Sequence, residues 1–175
     1  SNSNHVTMPK TILHTIRQVK IGGGESHVLS LVSRLDPSKY RSVVVAMTDG
    51  PMIDALKELG VKSYVIHTLK PFNPLITKEL CRIIERENVD LIHAHGTRAA
   101  SNSLSSARKT NTPIIYTVHG WAFHIDQSPI PFYFRRASES YLTKSVNRTI
   151  CVSYANERLG QKLFRLKNSI VIHNG

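Results

Sequence analysis

Cysteine, long apolar runs and blocks of like charge are scarce or absent in this 175-residue chain. Two cysteines cannot form a disulfide framework, so we expect Cys81, in a helix, and Cys151, in a strand, to be reduced thiols of a cytoplasmic protein. No apolar run approaches the ~20 residues that span a bilayer. No charged and then apolar leader opens the chain, so the sequence predicts neither a membrane-spanning helix nor a secretory signal.

Acidic residues are few beside basic ones, 12 against 23, which gives a formal net charge of +11. Such a balance favours anionic partners, namely phosphorylated metabolites or an anionic membrane face. The basic residues are scattered, and no nucleic-acid-binding signature is present, so no nucleic acid partner is predicted. A peripheral position at the inner face of the membrane is compatible with this charge.

What the sequence does contain is an alternation of short apolar segments with amphipathic ones. Seven apolar segments are predicted as strands: TILHTIRQV, SVVVAM, VKSYVI, VDLIHA, PIIYTVH, RTICVS and SIVIH. Helices are predicted along the stripe that begins at Val28, in GPMIDALKELG with Gly60 as C-terminal cap, and over 75–87, 97–108, 131–144 and 153–163. The alternation predicts an α/β fold with a doubly wound, mostly parallel, Rossmann-like sheet. We expect one domain over 10–175, after a flexible lead-in over 1–9.

In such sheets ligands bind beyond the carboxyl ends of the strands, so the loops there hold the candidate site. The first is KIGGGES, in which Gly22, Gly23 and Gly24 precede a helix predicted to begin at Glu25 or Ser26. Glycine amides at a helix start suit a phosphate. The loop matches neither a P-loop nor GxGxxG, however, because His27 occupies the place of the last glycine. A tight turn without a ligand explains the glycines equally well.

The second loop follows DLIHAHG, where His93 and His95 lie on one side of a strand end. Gly96 turns the chain and Thr97 can cap the next helix. Two histidines could bind zinc with help from His119, His124 or Asp126. The alternative, which we favour, is that one histidine packs beneath the loop and the other hydrogen-bonds a ligand.

The third loop, TVHGWAF, places His119 and Gly120 after the fifth strand, followed by Trp121 and Phe123. His119 suits hydrogen bonding or proton transfer near neutral pH. The two aromatic rings could line an acceptor pocket or pack the loop onto the core. Farther along, the aromatic and basic run FYFRR could contact a membrane or a lipid-linked anion, or could be a core-packing helix with a solvated arginine pair.

Five of these stretches, in order along the chain, resemble the N-terminal domain of the family 4 glycosyltransferases, a retaining group with the two-domain GT-B fold. They are GGGES, DLIHAHG, TVHG, CVS and VIHNG, the last with His173 where the family pattern VIPNG has proline. The resemblance implies transfer of a sugar from a nucleotide sugar to a glycan, a lipid-linked acceptor or a small molecule. A role in polysaccharide biosynthesis is compatible with it.

The resemblance also implies residue roles. Gly23, Gly24 and Glu25 would bind the phosphates of the donor, and His119 would be the catalytic contact to the donor sugar. The acceptor site would be formed by residues at or after the ends of the fourth and fifth strands: His95, Gly96, Arg98, Gly120 and Trp121. No metal or other cofactor would be required, because basic side chains and helix dipoles can stabilise the departing diphosphate.

The nucleotide and an acidic E-x7-E pair would belong to a second, C-terminal domain that these 175 residues do not contain. The chain alone is therefore expected to be inactive. Two other hypotheses stay open at this point: a metal-dependent hydrolase using His93, His95 and His119, and a noncatalytic module that binds an anionic membrane or a polyanion. A sugar-nucleotide epimerase shares the two-domain fold, but GGGES and VIHNG fit the transferase pattern better.

Overall fold

The computed structural model describes residues 7–17, 23–123 and 128–173, in which seven strands alternate with six helices. The strands are β1 (Lys10–Ile16), β2 (Tyr40–Ala46), β3 (Lys62–Val65), β4 (Leu91–His95), β5 (Ile114–Val118), β6 (Arg148–Cys151) and β7 (Ser169–Val171). The helices are α1 (Gly23–Arg34), α2 (Met52–Glu58), α3 (Pro74–Arg86), α4 (Thr97–Thr110), α5 (Pro129–Ser145) and α6 (Tyr154–Phe164). The predicted α/β class is confirmed.

The strands form one parallel sheet in the order β3-β2-β1-β4-β5-β6-β7. The chain winds from β1 out to β3, returns to β4 on the other side of β1, and then winds out to β7. The connections that leave β1 and β4 therefore diverge, and a crevice opens between them at the carboxyl edge of the sheet. This reversal point is where doubly wound sheets bind their ligands.

Two apolar layers cover the two faces of the sheet. On β1, Leu13 packs into the layer that includes residues of α3 and α4, whereas Ile16 packs into the layer that includes residues of α1 and α2. Burial on both faces explains why β2 is a continuous apolar run, since every residue from Val43 to Met47 is buried. Polar side chains inside these strands therefore stand out against their surroundings.

Two helices, α1 and α5, begin two or more residues before their predicted starts. Helix α1 begins at Gly23 rather than at Glu25 or Ser26, so Gly23 and Gly24 are its first helical residues. The amides of the first turn make no hydrogen bond inside the helix, so glycine at these positions destabilises the helix little. Helix α5 begins at Pro129, two residues before the predicted start, because proline is well accommodated in a first turn.

The predicted capping of α4 by Thr97 is not found. Gly96 is the N-cap residue, with a φ of 90° that favours glycine, and Thr97 makes no side-chain capping bond. Ser153, in contrast, caps α6, because its Oγ accepts a hydrogen bond from the amide of Asn156 at 3.1 Å. Cys81 lies in α3 and Cys151 in β6, and both are free thiols, as expected.

The amino edge of the sheet holds a buried carboxylate with several partners, which we call the Glu87 cluster: Glu87, Arg41, Lys62 and Tyr64. Glu87 is 5% exposed and contacts Arg41 at 2.9 Å, Lys62 at 2.7 Å and the Tyr64 hydroxyl at 2.5 Å. Burial alone raises the pKa of Glu87, but the hydrogen bonds from Lys62, Tyr64 and Arg41 outweigh it and lower that pKa to about 2. The cluster is thus an ionised, well-satisfied structural group.

Among the helices in the described ranges, none combines the length and apolar character needed to cross a bilayer.

Candidate active site

Five histidines meet at the carboxyl edge of the sheet, across the reversal point; we call them the histidine cluster. They are His14 on β1, His93 and His95 on β4, His119 directly after β5, and His27 near the start of α1. The ring centroids of His93 and His95 lie 3.9 Å apart, and those of His27 and His119 lie 5.0 Å apart. The cluster therefore lies where the topology predicts a ligand.

Strand register explains why three of these rings meet. His14 pairs with His93 across the β1–β4 ladder, and His95 lies one pleat farther along β4. Their neighbours Ile92 and Ala94 belong to the α3–α4 layer, so His93 and His95 lie on the opposite face. The prediction that these two histidines share one side of the strand is confirmed.

The hydrogen bonds of the cluster leave several nitrogens unused. His14 Nδ1 and His95 Nε2 are 3.1 Å apart and form one hydrogen bond, and His93 Nε2 contacts Thr117 Oγ1 at 2.6 Å. Within the described residues, His14 Nε2, His95 Nδ1 and His119 Nε2 are buried without a hydrogen-bond partner. Buried polar atoms normally have partners, so these nitrogens mark a place that a ligand can complete.

All five imidazoles favour the neutral form. Burial lowers the pKa of His14 to about 4, with repulsion from His27 adding to the effect. Burial and the neighbouring histidines hold the pKa of His93 and of His95 well below the usual value. Burial also lowers the pKa of His27 and of His119. At neutral pH each ring therefore offers one N–H donor and one lone pair.

Both histidines of β4 are buried, His93 at 7% and His95 at 3% exposed, so the predicted packing is shown for both. A hydrogen bond from one of them to a ligand stays a prediction. His119 is half-buried and is the member that follows its strand into the loop. It therefore lies nearer to solvent than the β4 pair.

The loop after β5 is held by its aromatic residues. Trp121 and Phe123 are buried, Trp121 Nε1 donates to the carbonyl of Asn156 at 2.9 Å, and its ring meets Phe164 edge-on at 4.9 Å. Of the two alternatives for these rings, the structure shows the packing one. Gly120, between His119 and Trp121, is exposed with open space around its Cα. An acceptor contact by Trp121 or Gly120 stays a prediction.

A buried carboxylate on α5 also positions this loop. Glu139 accepts hydrogen bonds from the Tyr116 hydroxyl at 3.0 Å and from the amide of Ala122 at 3.3 Å. The Tyr116 hydroxyl also contacts Thr97 Oγ1 at 3.0 Å, which ties the start of α4 to the same network. Burial raises the pKa of Glu139 to about 7, although its hydrogen bonds act in the opposite direction. The network joins the two loops that flank the histidine cluster.

The other predicted site residues lie around the same edge. Gly23, Gly24 and Glu25 form the first turn of α1, and Ser26 separates them from His27. Arg98, in the first turn of α4, is half-buried and donates to the carbonyl of Leu69. Gly22, His124 and Asp126 lie outside the described residues.

Two groups within the histidine cluster have ligand atoms close enough together to hold a metal ion. One is His14, His93 and His95, and the other is His27, His95 and His119. In each group one nitrogen per residue lies within 4.8 Å of the others. The sequence expectation of a site without metal ligands is not tested by this geometry.

A sequence model described as Glycosyltransferase Family 4 matches residues 21–175. The chain belongs to Glycosyltransferase Family 4. The match covers all of the cluster except His14, so the family assignment and the candidate site concern the same part of the chain. The predicted resemblance is confirmed.

Two curated proteins are similar to this family 4 chain. An uncharacterized glycosyltransferase of Methanocaldococcus jannaschii is 31% identical over 180 residues, which cover 95% of this chain and 46% of that protein. The UDP-Gal:alpha-D-GlcNAc-diphosphoundecaprenol alpha-1,3-galactosyltransferase of Escherichia coli is 25% identical over 117 residues, or 62% of this chain and 30% of that protein. The chain thus spans less than half the length of either relative.

Among solved structures, Anabaena HepE in complex with UDP superposes with a TM-score of 0.76 at 17% identity. The superposition covers 94% of this chain and 44% of HepE. At this identity the likeness shows the fold alone, and it confirms the predicted Rossmann-like α/β fold.

Sequence reasoning missed three residues of the site. His14 and His27 were not recognised as partners of the β4 pair, and Glu139 was not singled out. A signal existed for His14, since it is a polar residue inside the apolar run TILHTI. Glu139 lies in the polar stretch ASESY, where nothing distinguishes a buried carboxylate from a solvated one.

Proposed function

We propose that the full-length protein transfers a sugar from a UDP-sugar to an acceptor with retention of anomeric configuration, and that this chain is its N-terminal, acceptor-side domain. The observation that carries the proposal is the neutral, partly unpartnered histidine cluster at the reversal point of a family 4 sheet. The comparisons do not favour the alternatives of a metal-dependent hydrolase or a noncatalytic anion-binding module.

A uridine nucleotide is supported by two of the proteins compared. The E. coli relative is named for UDP-Gal, and HepE was solved with UDP. The names of both proteins thus refer to uridine diphosphates, and the present chain shares a family or a fold with them. We extend the nucleotide, and not the sugar, to this protein.

The donor diphosphate would lie against the start of α1. Gly23, Gly24 and Glu25 form the first turn of α1. The amides of a helix's first turn point outward from its N-terminus, and the helix dipole adds partial positive charge there. This arrangement binds phosphate oxygens without a metal ion. It also stabilises the negative charge that develops on the leaving diphosphate, so the proposed reaction needs no metal cofactor.

His119 would contact the donor sugar. Its Nε2 is buried with no hydrogen-bond partner among the described residues, and its ring meets His27 of α1 at 5.0 Å between centroids. The ring therefore lies close to the element that would hold the phosphates. Because it is neutral at pH 7, it can hydrogen-bond a sugar hydroxyl without repelling the positive charge of an oxocarbenium-like transition state.

The acceptor would enter on the side of α4 and of the loop after β5, near Gly96, Arg98, Gly120 and Trp121. His95 lies beneath this surface, so its role would be to orient neighbouring groups and not to make an open contact. A C-terminal domain with the E-x7-E pair would close over the crevice and hold the nucleotide, which agrees with the fraction of each relative that the chain spans.

A lipid-linked acceptor is supported by the start of α5. Ile130 and Phe134 are 83% and 73% exposed, and Arg135 and Arg136 follow directly. Exposed apolar side chains beside cations suit an anionic membrane face. The acceptor of the E. coli relative is, by its name, a diphosphoundecaprenol-linked sugar.

The test is an assay of the full-length protein with radiolabelled UDP-sugars and lipid extracts. Expected results are transfer of label to an acceptor and, by NMR of the product, the same anomeric configuration as in the donor. Product of inverted configuration would reject the retaining mechanism, and absence of transfer from any UDP-sugar would reject the donor class.

A further inference from the structure

The proposed transfer uses one face of His119 and leaves most of the histidine cluster without a role. Nine histidines occur in the chain, and five of them converge at one edge of the sheet. Three of their buried nitrogens lack partners among the described residues. A convergence of neutral imidazoles with free nitrogens is chemically a set of transition-metal ligands.

Of the two groups with close ligand atoms, the deeper one already uses several of its nitrogens in hydrogen bonds within the protein. His14 Nδ1 and His95 Nε2 bond each other at 3.1 Å, and His93 Nε2 bonds Thr117 at 2.6 Å. All three of these residues are buried, so an ion would have to break existing hydrogen bonds and reach a closed interior. This group is better explained as the support of the site.

The outer group consists of His27, His95 and His119, of which His27 and His119 are half-buried, whereas every residue of the inner group is buried. Among the described residues, His95 Nδ1 and His119 Nε2 have no hydrogen-bond partner, and both rings lie beside His27. The ring centroid of His27 lies 5.8 Å from that of His95 and 5.0 Å from that of His119. One nitrogen from each residue lies within 4.8 Å of the others. A zinc ion bound to all three would lie ~2.0–2.1 Å from each nitrogen, so the rings must move closer together on binding.

The remaining nitrogen of His95 also has a suitable partner. A histidine that binds a metal through one nitrogen normally donates its other N–H to an acceptor. If His95 binds through Nδ1, its Nε2–H points to His14 Nδ1 at 3.1 Å, which accepts. His14 then fixes the tautomer and the orientation of the ligand, as a positioning residue.

We propose that His27, His95 and His119 bind a divalent transition-metal ion of the zinc class, with His14 positioning His95. Three nitrogen ligands leave a fourth, open position in the tetrahedral arrangement that zinc favours.

Such an ion would inhibit the protein, and this consequence rests on the proposed function. Metal coordination occupies the nitrogen of His119 that is expected to meet the donor sugar. Sugar transfer would then be slowed by zinc and restored by a chelator. Metal binding itself needs no donor, so it can succeed or fail independently of the transferase assay.

The experiment is a calorimetric titration of the full-length protein with Zn²⁺, and of the same protein with Co²⁺ followed by visible absorption. We expect one ion per chain and the intense visible bands of four-coordinate cobalt. His27→Ala should weaken binding by more than about 100-fold, because removal of a supporting residue alone typically costs 10–100-fold. His14→Phe should weaken it by about 10–100-fold.

Two controls separate ligation from folding. His67→Ala removes an exposed histidine outside the cluster and should leave zinc affinity unchanged. His119→Cys keeps a zinc ligand at the position and should retain the affinity that His119→Ala loses, with thermal unfolding recorded for both. Equal zinc affinity of the wild type and His27→Ala would overturn the proposal. So would loss of binding in His93→Ala with full binding in His27→Ala, since that result assigns the ion to the inner group.

Discussion

The two edges of the sheet treat buried titratable groups in opposite ways. At the amino edge, the Glu87 carboxylate has three charged or hydroxyl partners within 2.9 Å and is held ionised. At the carboxyl edge, the histidine cluster is held neutral, and three of its nitrogens have no partner within the described residues. The Glu87 cluster therefore stabilises the fold. The histidine cluster contributes less to stability, and it places nitrogens that can bind a ligand at the point where the strand order reverses.

The largest effect on stability is expected from substitution of Glu87, the buried carboxylate whose oxygens all have partners. Glu87→Leu takes the acceptor from Arg41, Lys62 and Tyr64, and should lower the free energy of unfolding by about 3 kcal/mol, a figure moderated because both cations are half in solvent. Urea unfolding measures it. The loss should shrink as the pH falls from about 4.5 towards 2, because the lowered pKa of Glu87 contributes stability only above that window. A loss that does not change with pH would contradict the ionised state.

An intermediate effect is expected from Glu139→Gln, which probes the network beside the site. The pKa of Glu139 is raised to about 7, so the native state resists ionisation that the unfolded chain undergoes near 4.5, and wild-type stability falls between these values. Glutamine cannot ionise. The stability of the variant relative to wild type should therefore rise by about 1–3 kcal/mol from pH 4.5 to pH 7.5. Unfolding curves across this range measure the difference, and parallel pH profiles of the two proteins would contradict it.

The smallest effect on stability is expected within the histidine cluster itself. His14→Leu with His95→Leu removes both partners of one hydrogen bond together with two unpartnered nitrogens. The free energy of unfolding should change by less than about 1 kcal/mol, because replacing both buried partners with apolar groups is often neutral. Chemical denaturation at pH 7 checks this. A loss above about 3 kcal/mol would show that the cluster stabilises the fold as Glu87 does.

Some features of the two sheet edges can be predicted from the sequence, and others cannot. The alternation of apolar and amphipathic segments predicts the sheet, the pairing of His93 with His95 on one side, and the position of His119, since each depends on local periodicity. The meeting of His14 and His27 with them depends on strand order and on the docking of α1, which no local pattern contains. The same holds for Glu87 and Glu139, because a carboxylate in a sequence does not reveal whether its partners come from distant strands.

We infer that the histidine cluster at the carboxyl edge of the sheet acts in sugar transfer, whereas the Glu87 cluster at the amino edge stabilises the fold. The most direct test measures kcat/KM for sugar transfer by the full-length protein in two variants, His119→Ala and Glu87→Gln, together with their unfolding free energies. We expect His119→Ala to lower kcat/KM by about 100-fold or more with little change in stability. We expect Glu87→Gln to lower stability and to leave kcat/KM of the folded protein within about twofold of wild type. Full activity in His119→Ala, or a loss of activity in folded Glu87→Gln as large as that expected for His119→Ala, would contradict it.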